Sequence, residues 1–417
     1  MRLLVVSQYF WPENFRVNEL VSELVARGHD VTVLTGRPNY PEGRTFAEYK
    51  QDPGRFESYK NARIVRVPLR PRGNGSLQLA LNYLSFLFWA TLLGSWRLRG
   101  RQFDAVFSFQ VSPVTSALPA LWMSYLKRVP MLMWVLDLWP ETLSAVGAVK
   151  SPRALIAIGR MVGYIYRHCD RVLVQSQAFV ASVERWSGSS ARVRYFPAWV
   201  EAVFDNGSSE IAPEVANFHD SFNVMFAGNI GEAQDFPSIL AAATSMKHRK
   251  DIRWLIVGDS RAMGEVRTEI ERRGLEGTMI LLGRHALERM PSFFKAADAM
   301  LVSLKSDPVF DMTIPGKVQS YLATGVPILG MLGGEGARVI AESGAGLVCD
   351  AGDGTALAYN VEKLAAMPSG ERAAMGERGR NYARLEFDRA VLISRLEEWL
   401  SELTRSGTDP RRPARSS

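Results

Sequence analysis

Short apolar runs alternate with helical patterns along nearly the whole chain, and this alternation limits the fold more than any other feature. In the first half the runs fall at 3–7, 31–35, 64–67, 105–108, 131–136 and 172–175, and in the second at 224–227, 254–257, 280–282, 300–303, 327–330 and 346–349. Short, continuously apolar strands separated by helices imply parallel sheets covered on both faces. Two such series of similar length predict an α/β chain with two doubly wound domains, whose ligands bind beyond the carboxyl ends of the strands. The first helix is legible in detail. Val17, Leu20, Val21, Leu24 and Val25 form one apolar face, and Gly28 suits the position just past a helix end. His29 follows at the end of the unit remote from the ligand side, so it reads as a turn residue bonded to local backbone rather than as a functional histidine.

The domain boundary is expected within residues 199–219, which hold Asn206, Gly207, Ser208, Ser209 and Pro213 and lack apolar periodicity. The predicted organisation is a first domain over 1–200, a second over 201–385, a helix over 386–404 packing back on the first, and a disordered basic tail over 405–417. Two cysteines, Cys169 and Cys349, lie in different halves, and the five histidines are isolated from one another. That spacing predicts no metal and a reducing compartment. No charged, apolar and small-residue leader pattern opens the chain, so a cytoplasmic location is expected. The formal charge of +7 is modest and its basic residues are scattered. This favours a nucleotide or a lipid surface over nucleic acid as the anionic partner. Residues 77–96, LQLALNYLSFLFWATLLGSW, are uncharged, with Arg70 and Arg72 before them and Arg97, Arg99 and Arg101 after. A core helix, an interfacial helix and a spanning helix all fit, although Gln78, Asn82 and Ser85 on one stripe weigh against spanning.

Candidate ligand residues lie in loops after strands. After the first run, Asn14, Phe15 and Arg16 suit a polar or anionic ligand, unless Asn14 only caps the helix. No GxGxxG stands there, which argues against a nicotinamide or flavin dinucleotide. Asn39 and Tyr40 sit in a proline-flanked turn that either walls a site or is plain surface. Asp137, Trp139 and Glu141 follow a buried strand and suit a polar substrate, unless Asp137 braces a neighbouring loop. In the second half, Gly228, Asn229 and Gly231, then Gly258 and Asp259, then Gly283 and Arg284, and finally the run 333–336 describe a nucleotide-sized cleft. The stretch DPVFDMTIPGKVQSYLATGVP places Pro315, Gly316 and Lys317 in the first turn of a helix ending at Gly325. A helix N-terminus with a lysine suits a diphosphate, although an ordinary loop and helix with a solvated lysine is the alternative.

The stretches RGHDVTVLTGRPNYPEG, DLWPETLSAVG, FAGNIGEAQDFPSIL and PVFDMTIPGKVQSYLATGVPIL resemble the retaining glycosyltransferases of family 4. They are similar to the bacterial O-antigen and exopolysaccharide branch, which includes L-fucosamine and colanic-acid transferases, and the resemblance covers residues 1–400. It implies the GT-B architecture, two Rossmann-like domains facing a cleft, whose closure would exclude water. It implies a nucleotide-sugar donor in the second domain, an acceptor in the first, retention of configuration, and no metal or other cofactor. Carried over by position, Lys317, with the Pro315 and Gly316 turn, Gly228 and Asn229, would hold the donor diphosphate. Gly231, Gly258, Arg284 and Gln319 would line the donor site, and Asp311 would touch the donor sugar. Ser320 stands where the family's second glutamate, the usual ribose ligand, would be. The basic pair usual after the first strand of the second domain is replaced by Asn229 and the Gln234–Asp235 stretch, leaving more phosphate charge to Lys317. Leu136 stands where the family often has a histidine, which makes Asp137 the polar group expected near the reacting carbon. The expected reaction moves an N-acetylated amino or deoxy sugar from a UDP donor to a polyprenyl-diphosphate-linked or saccharide acceptor at the inner leaflet. A nucleotide-sugar 2-epimerase of the same architecture and a non-catalytic scaffold are the rival expectations.

Overall fold

The computed structural model describes residues 1–41, 43–73, 75–145, 147–204, 210–259 and 263–406. The expected linker residues 206–209, and the tail beyond 406, lie outside the described residues. The chain divides into two compact units, Met1–Pro197 with the segment from Ala390 onward, and Ala198–Arg389.

The first unit holds strands β1 (Arg2–Val6), β2 (Asp30–Gly36), β3 (Ser58–Tyr59), β4 (Ala62–Val67), β5 (Ala105–Gln110), β6 (Met131–Val135), β7 (Arg171–Val174) and β8 (Val193–Tyr195). They form one sheet in the order β3-β4-β2-β1-β5-β6-β7-β8. Every pairing is parallel except β3 with β4. All residues of β5 and β6 are buried, which is why these strands read as continuous apolar runs. The strands β3 and β8 gave no such run. Both lie at sheet edges, where only one side is covered, and their sequences are Ser-Tyr and Val-Arg-Tyr.

The second unit holds β9 (Phe222–Ala227), β10 (Ile252–Val257), β11 (Met279–Gly283), β12 (Ala299–Ser303), β13 (Ile328–Met331) and β14 (Gly346–Cys349). Their order is β11-β10-β9-β12-β13-β14, and every pairing is parallel. Both units are doubly wound Rossmann-like folds. In each, strand order reverses beside the first strand, between β1 and β5 and between β9 and β12, which fixes where a ligand crevice opens.

The Ser76–Arg97 helix has one buried stripe, Asn82, Phe86 and Ala90. The Asn82 Oδ1 accepts from Gln8 Nε2 at 2.7 Å, and its amide donates to the Arg70 carbonyl. Leu84, Phe88, Trp89, Leu92 and Trp96 stay exposed. By length and composition the segment Leu77–Arg97 could cross a membrane, but only 22% of its apolar window is buried in the protein. The core-helix reading is therefore corrected: one stripe docks on the first unit and the rest of the apolar surface faces outward.

The Arg389–Ser406 helix buries Leu392, Ile393, Leu396, Leu400 and Leu403. Its anchor corrects the reading of His29. His29 Nε2 lies 2.7 Å from Glu397, and Arg27 Nη1 meets the other oxygen of that carboxylate at 2.8 Å. The histidine thus binds a helix from the far end of the chain rather than local backbone. Burial pushes the Glu397 carboxyl up, but bonds from His29 and Arg27 hold it below its usual value overall. A carboxyl depressed in the folded state stabilises above its unfolded pKa, and that contribution is lost as pH falls through the folded value. Glu397→Ala should therefore cost about 1 kcal/mol near neutral pH. In thermal melts from about pH 7 to about pH 3, its deficit against wild type should shrink on acidification. A deficit independent of pH would contradict the clamp.

Candidate functional site

In the second unit the pocket is built where strand order reverses. Gly228 and Gly258 directly follow β9 and β10, at φ of +137° and +154°. A Cβ on Gly258 would sit 1.9 Å from the Gly228 carbonyl oxygen, and one on Gly228 would sit 2.6 Å from Lys317 Cε. Both positions therefore require glycine: at Gly258 the backbone of Gly228 takes up the space, and at Gly228 the lysine side chain does. Lys317 comes from the Gly316–Thr324 helix, which starts after Pro315 and ends at Gly325 in the left-handed conformation. Tyr321, one turn further on, is buried, and its hydroxyl accepts from the Ala227 N–H and donates to the Ala227 carbonyl, each at 3.0 Å. That pair of bonds to β9 fixes how the helix points its first turn at the strand end.

Lys317 Nζ donates to Gln234 Oε1 at 2.8 Å and lies 3.7 Å from the centroid of the Phe226 ring. These partners are a neutral amide and a ring face, so neither balances its charge fully. Burial pushes its pKa down to about 7. Around it opens a pocket of about 980 Å³. Its polar wall includes Asn229, Asp259, Arg284, Gly316, Ser320 and Glu201, and its apolar wall includes Phe204, Leu287, Met290 and Phe294. Free N–H groups at the helix start and a lysine short of counter-charge suit an anion, and the apolar wall suits a flat ring.

Of the residues read from the sequence, Gly228, Asn229, Gly258, Arg284, Gly316, Lys317 and Ser320 come together here. Gly231, Pro315, Gln319 and Asp311 do not line the pocket. Gly231 precedes a short turn, and the buried Gln319 amide donates to the Ala198 carbonyl at 2.7 Å. Asp311 packs against Gly333 and Gly334. That glycine run was expected to line the cleft, but it too lies outside the pocket wall, and Glu335 pairs with Arg338 at 2.8 Å. Gln234 serves as the partner of Lys317. Tyr321 and Glu201 went unread, because each acts through residues far away in sequence.

In the first unit the organiser is Glu13, which the sequence did not single out. It is buried, its Oε1 accepts from the Asn39 and Tyr40 N–H groups at 2.7 Å each, and its Oε2 accepts from Phe10 N–H at 3.1 Å. Burial raises its pKa against the pull of those bonds. The glutamate thus staples the loop after β2 to the loop after β1. Above it Tyr9, Phe15 and Tyr40 pack with centroids 5.2–5.4 Å apart, and the Arg72 guanidinium lies 5.4 Å from the Tyr40 centroid.

Asn14 is exposed and does not cap the helix, whose N-cap position is Phe15. Arg16 pairs with Glu19 at 3.7 Å. Asn39 corrects its expected role. It is buried, its Oδ1 accepts from Arg72 N–H at 2.9 Å and its amide donates to the Arg37 carbonyl, so it braces the loop. Asp137 accepts from the Trp139 indole at 3.1 Å and stays partly exposed at the end of β6. Glu141 is engaged inwardly by Ser182 at 2.5 Å and Trp186 at 3.3 Å, which makes it a brace as well.

Lys317 gives the site a pH signature. The cost of burying its charge is full below its folded value of about 7. That cost fades as pH rises toward the ordinary lysine value of ~10.4. Lys317→Met should therefore raise the melting temperature of the ligand-free protein at about pH 6. The gain should shrink in alkaline buffer, and a gain unchanged across that range would contradict a buried ammonium.

Residues 14–199 match the family described as glycosyl transferase 4-like domain, and residues 221–367 match glycosyl transferases group 1. WcaI of Escherichia coli (strain K12), named for colanic acid biosynthesis, is 23% identical over 391 residues, covering 90% of this chain and 92% of that protein. Among solved structures, Anabaena Alr3699/HepE in complex with UDP superposes with a TM-score of 0.70 at 14% identity, covering 97% of this chain and 100% of that one. WaaG, a glycosyltransferase involved in lipopolysaccharide biosynthesis, gives 0.62 at 15% identity with the same coverage.

Proposed function

Because the chain belongs to the family 4 glycosyltransferases and has the GT-B architecture, we propose that it moves a sugar from UDP to a lipid-linked or oligosaccharide acceptor in cell-surface polysaccharide synthesis, with retention of configuration. The observation that carries this reading is Lys317, held across the end of β9 by a neutral amide and a ring face. A bound diphosphate supplies the missing charge. When the bond between the sugar carbon and the phosphate oxygen breaks, its electron pair goes to the diphosphate, and Lys317 with the helix N–H groups stabilises that charge. The acceptor oxygen bonds to the same face of the sugar carbon, and its proton passes to the departing phosphate. The first unit takes the acceptor, with the Tyr9, Phe15 and Tyr40 rings as a platform for sugar and Asp137 as a polar contact for it. The UDP complex of the Anabaena relative supports the uridine donor, and the WcaI likeness supports an exopolysaccharide product.

Calorimetry with UDP, GDP and ADP tests the reading. UDP should bind, Lys317→Met should weaken it by about 1.5–3 kcal/mol, the scale of a charged hydrogen bond, and proton NMR of the product should show the donor's anomeric configuration. Binding of no nucleotide by folded protein would sink the proposal.

The lipid side of the proposal rests on the outward face of the Ser76–Arg97 helix. Leu84, Phe88, Trp89, Leu92 and Trp96 are exposed there, and Trp122, Tyr125 and Leu126 are exposed on the Ala117–Lys127 helix packed beside it. Arg99 stacks on Trp96 at 4.4 Å, and Arg128 is exposed just past the second helix. Aromatic and aliphatic side chains beside arginines suit the inner leaflet's interface, where each basic residue contributes about 1 kcal/mol. The protein should float with anionic vesicles at low salt, and the Leu84→Asp, Phe88→Asp pair should release it. Flotation unchanged in that variant would rule out this face as the contact.

A further inference from the structure

Glu201 belongs to the chain segment that opens the second unit, far in sequence from the pocket loops, yet it is part of the pocket wall. The segment is fixed at several points. The Ala198 carbonyl accepts from Gln319, Val200 N–H donates to the Phe387 carbonyl at 3.1 Å, and Phe204 N–H donates to the Glu201 carbonyl at 2.9 Å. Val200 and Phe204 are buried, and Phe204 stacks on Phe294 with centroids 5.5 Å apart. Glu201 is therefore held in place, and its Oε2 lies 3.3 Å from the Ser320 hydroxyl.

Ser320 stands three residues beyond Lys317 on the same helix, which is a rise of about 4.5 Å. A ligand whose phosphates rest on Lys317 and the helix start thus runs past Ser320 and Glu201 on its way to the apolar wall. The group between the phosphates and the base of a nucleotide is ribose, with two adjacent hydroxyl donors. A serine hydroxyl offers one proton and a single oxygen, and it already shares that proton between Glu201 and the Gly316 carbonyl at 3.1 Å. A carboxylate has two oxygens that only accept, the complement of a diol. Asp259, the other acidic residue of the wall, is exposed at the end of β10 and does not share the hydrogen bond that couples Glu201 to the Lys317 helix.

We infer that the Glu201 carboxylate receives the ribose hydroxyl pair of the nucleoside diphosphate, oriented for it by the Ser320 hydroxyl. The inference rests on the donor reading of this pocket and adds to it: the carboxylate comes from the segment leading into the unit, not from the helix that carries Lys317.

Calorimetry of wild type, Glu201→Ala, Glu201→Gln and the double variant Glu201→Ala, Ser320→Glu, with UDP and with 2′,3′-dideoxy-UDP, tests it. Wild type should prefer UDP roughly 10–100-fold, as expected for hydrogen bonds to a charged group. The preference should collapse in Glu201→Ala and fall in Glu201→Gln, while affinity for the dideoxy nucleotide stays at the wild-type level. In the double variant the helix itself carries a carboxylate, and the preference should return. Full preference for UDP in both Glu201 single variants overturns the inference and leaves the donor reading standing. Equal loss of both nucleotides in Glu201→Ala also overturns it, since that marks a purely structural residue. Binding of neither nucleotide by folded wild type overturns the donor reading and this inference with it.

Discussion

The second unit is organised around one lysine lying across the end of a strand. Lys317 reaches over the end of β9 because Gly228 leaves no side chain in its way, and it stays there because Phe226 and Gln234 hold its ammonium. Tyr321 fixes the same helix to the same strand from one turn away. A buried ammonium with neutral partners carries a desolvation cost, which burial expresses as a lowered pKa. Under the proposed function, a bound diphosphate would offset that cost, a trade common at sites that bind charge.

The first unit solves a different problem with a carboxylate. Two loops must stand side by side at the ends of β1 and β2, and neither has secondary structure to hold it. Glu13 gathers three backbone N–H groups from both loops. Buried donors left unpaired would each cost about 1–3 kcal/mol, so the glutamate fixes the loops and the aromatic platform above them. Asn39 and Glu141 belong to the same class of residue, polar groups at strand exits that brace neighbouring segments. From sequence, such braces look like ligands, because both kinds of residue are polar and both sit where strands end.

Much of the architecture could be read directly from the chain. Strands buried on both faces announce themselves as apolar runs, and every run named from the sequence became a strand of one of the two sheets. The edge strands β3 and β8 escaped notice because half-covered strands need no apolar run. The helix beginning at Gly316 was legible because its signals are local: a proline and glycine at its start, a lysine in its first turn, a glycine at its end. The outward apolar face of the Ser76–Arg97 helix was legible as composition only, since one buried stripe and an exposed surface have the same residues.

What the amino-acid order determined alone is therefore local or periodic: two parallel α/β units, the helix that starts after Pro315, and the lysine in its first turn. What tertiary structure decided is which distant groups meet there. Gln234 stands 83 positions from Lys317, Ala227 stands 94 from Tyr321, and Glu201 stands 119 from Ser320. His29 and Glu397 are 368 apart. Periodicity and capping act within a few residues and so leave a trace in sequence. A hydrogen bond between remote segments leaves none, because it depends on where whole strands and helices come to rest.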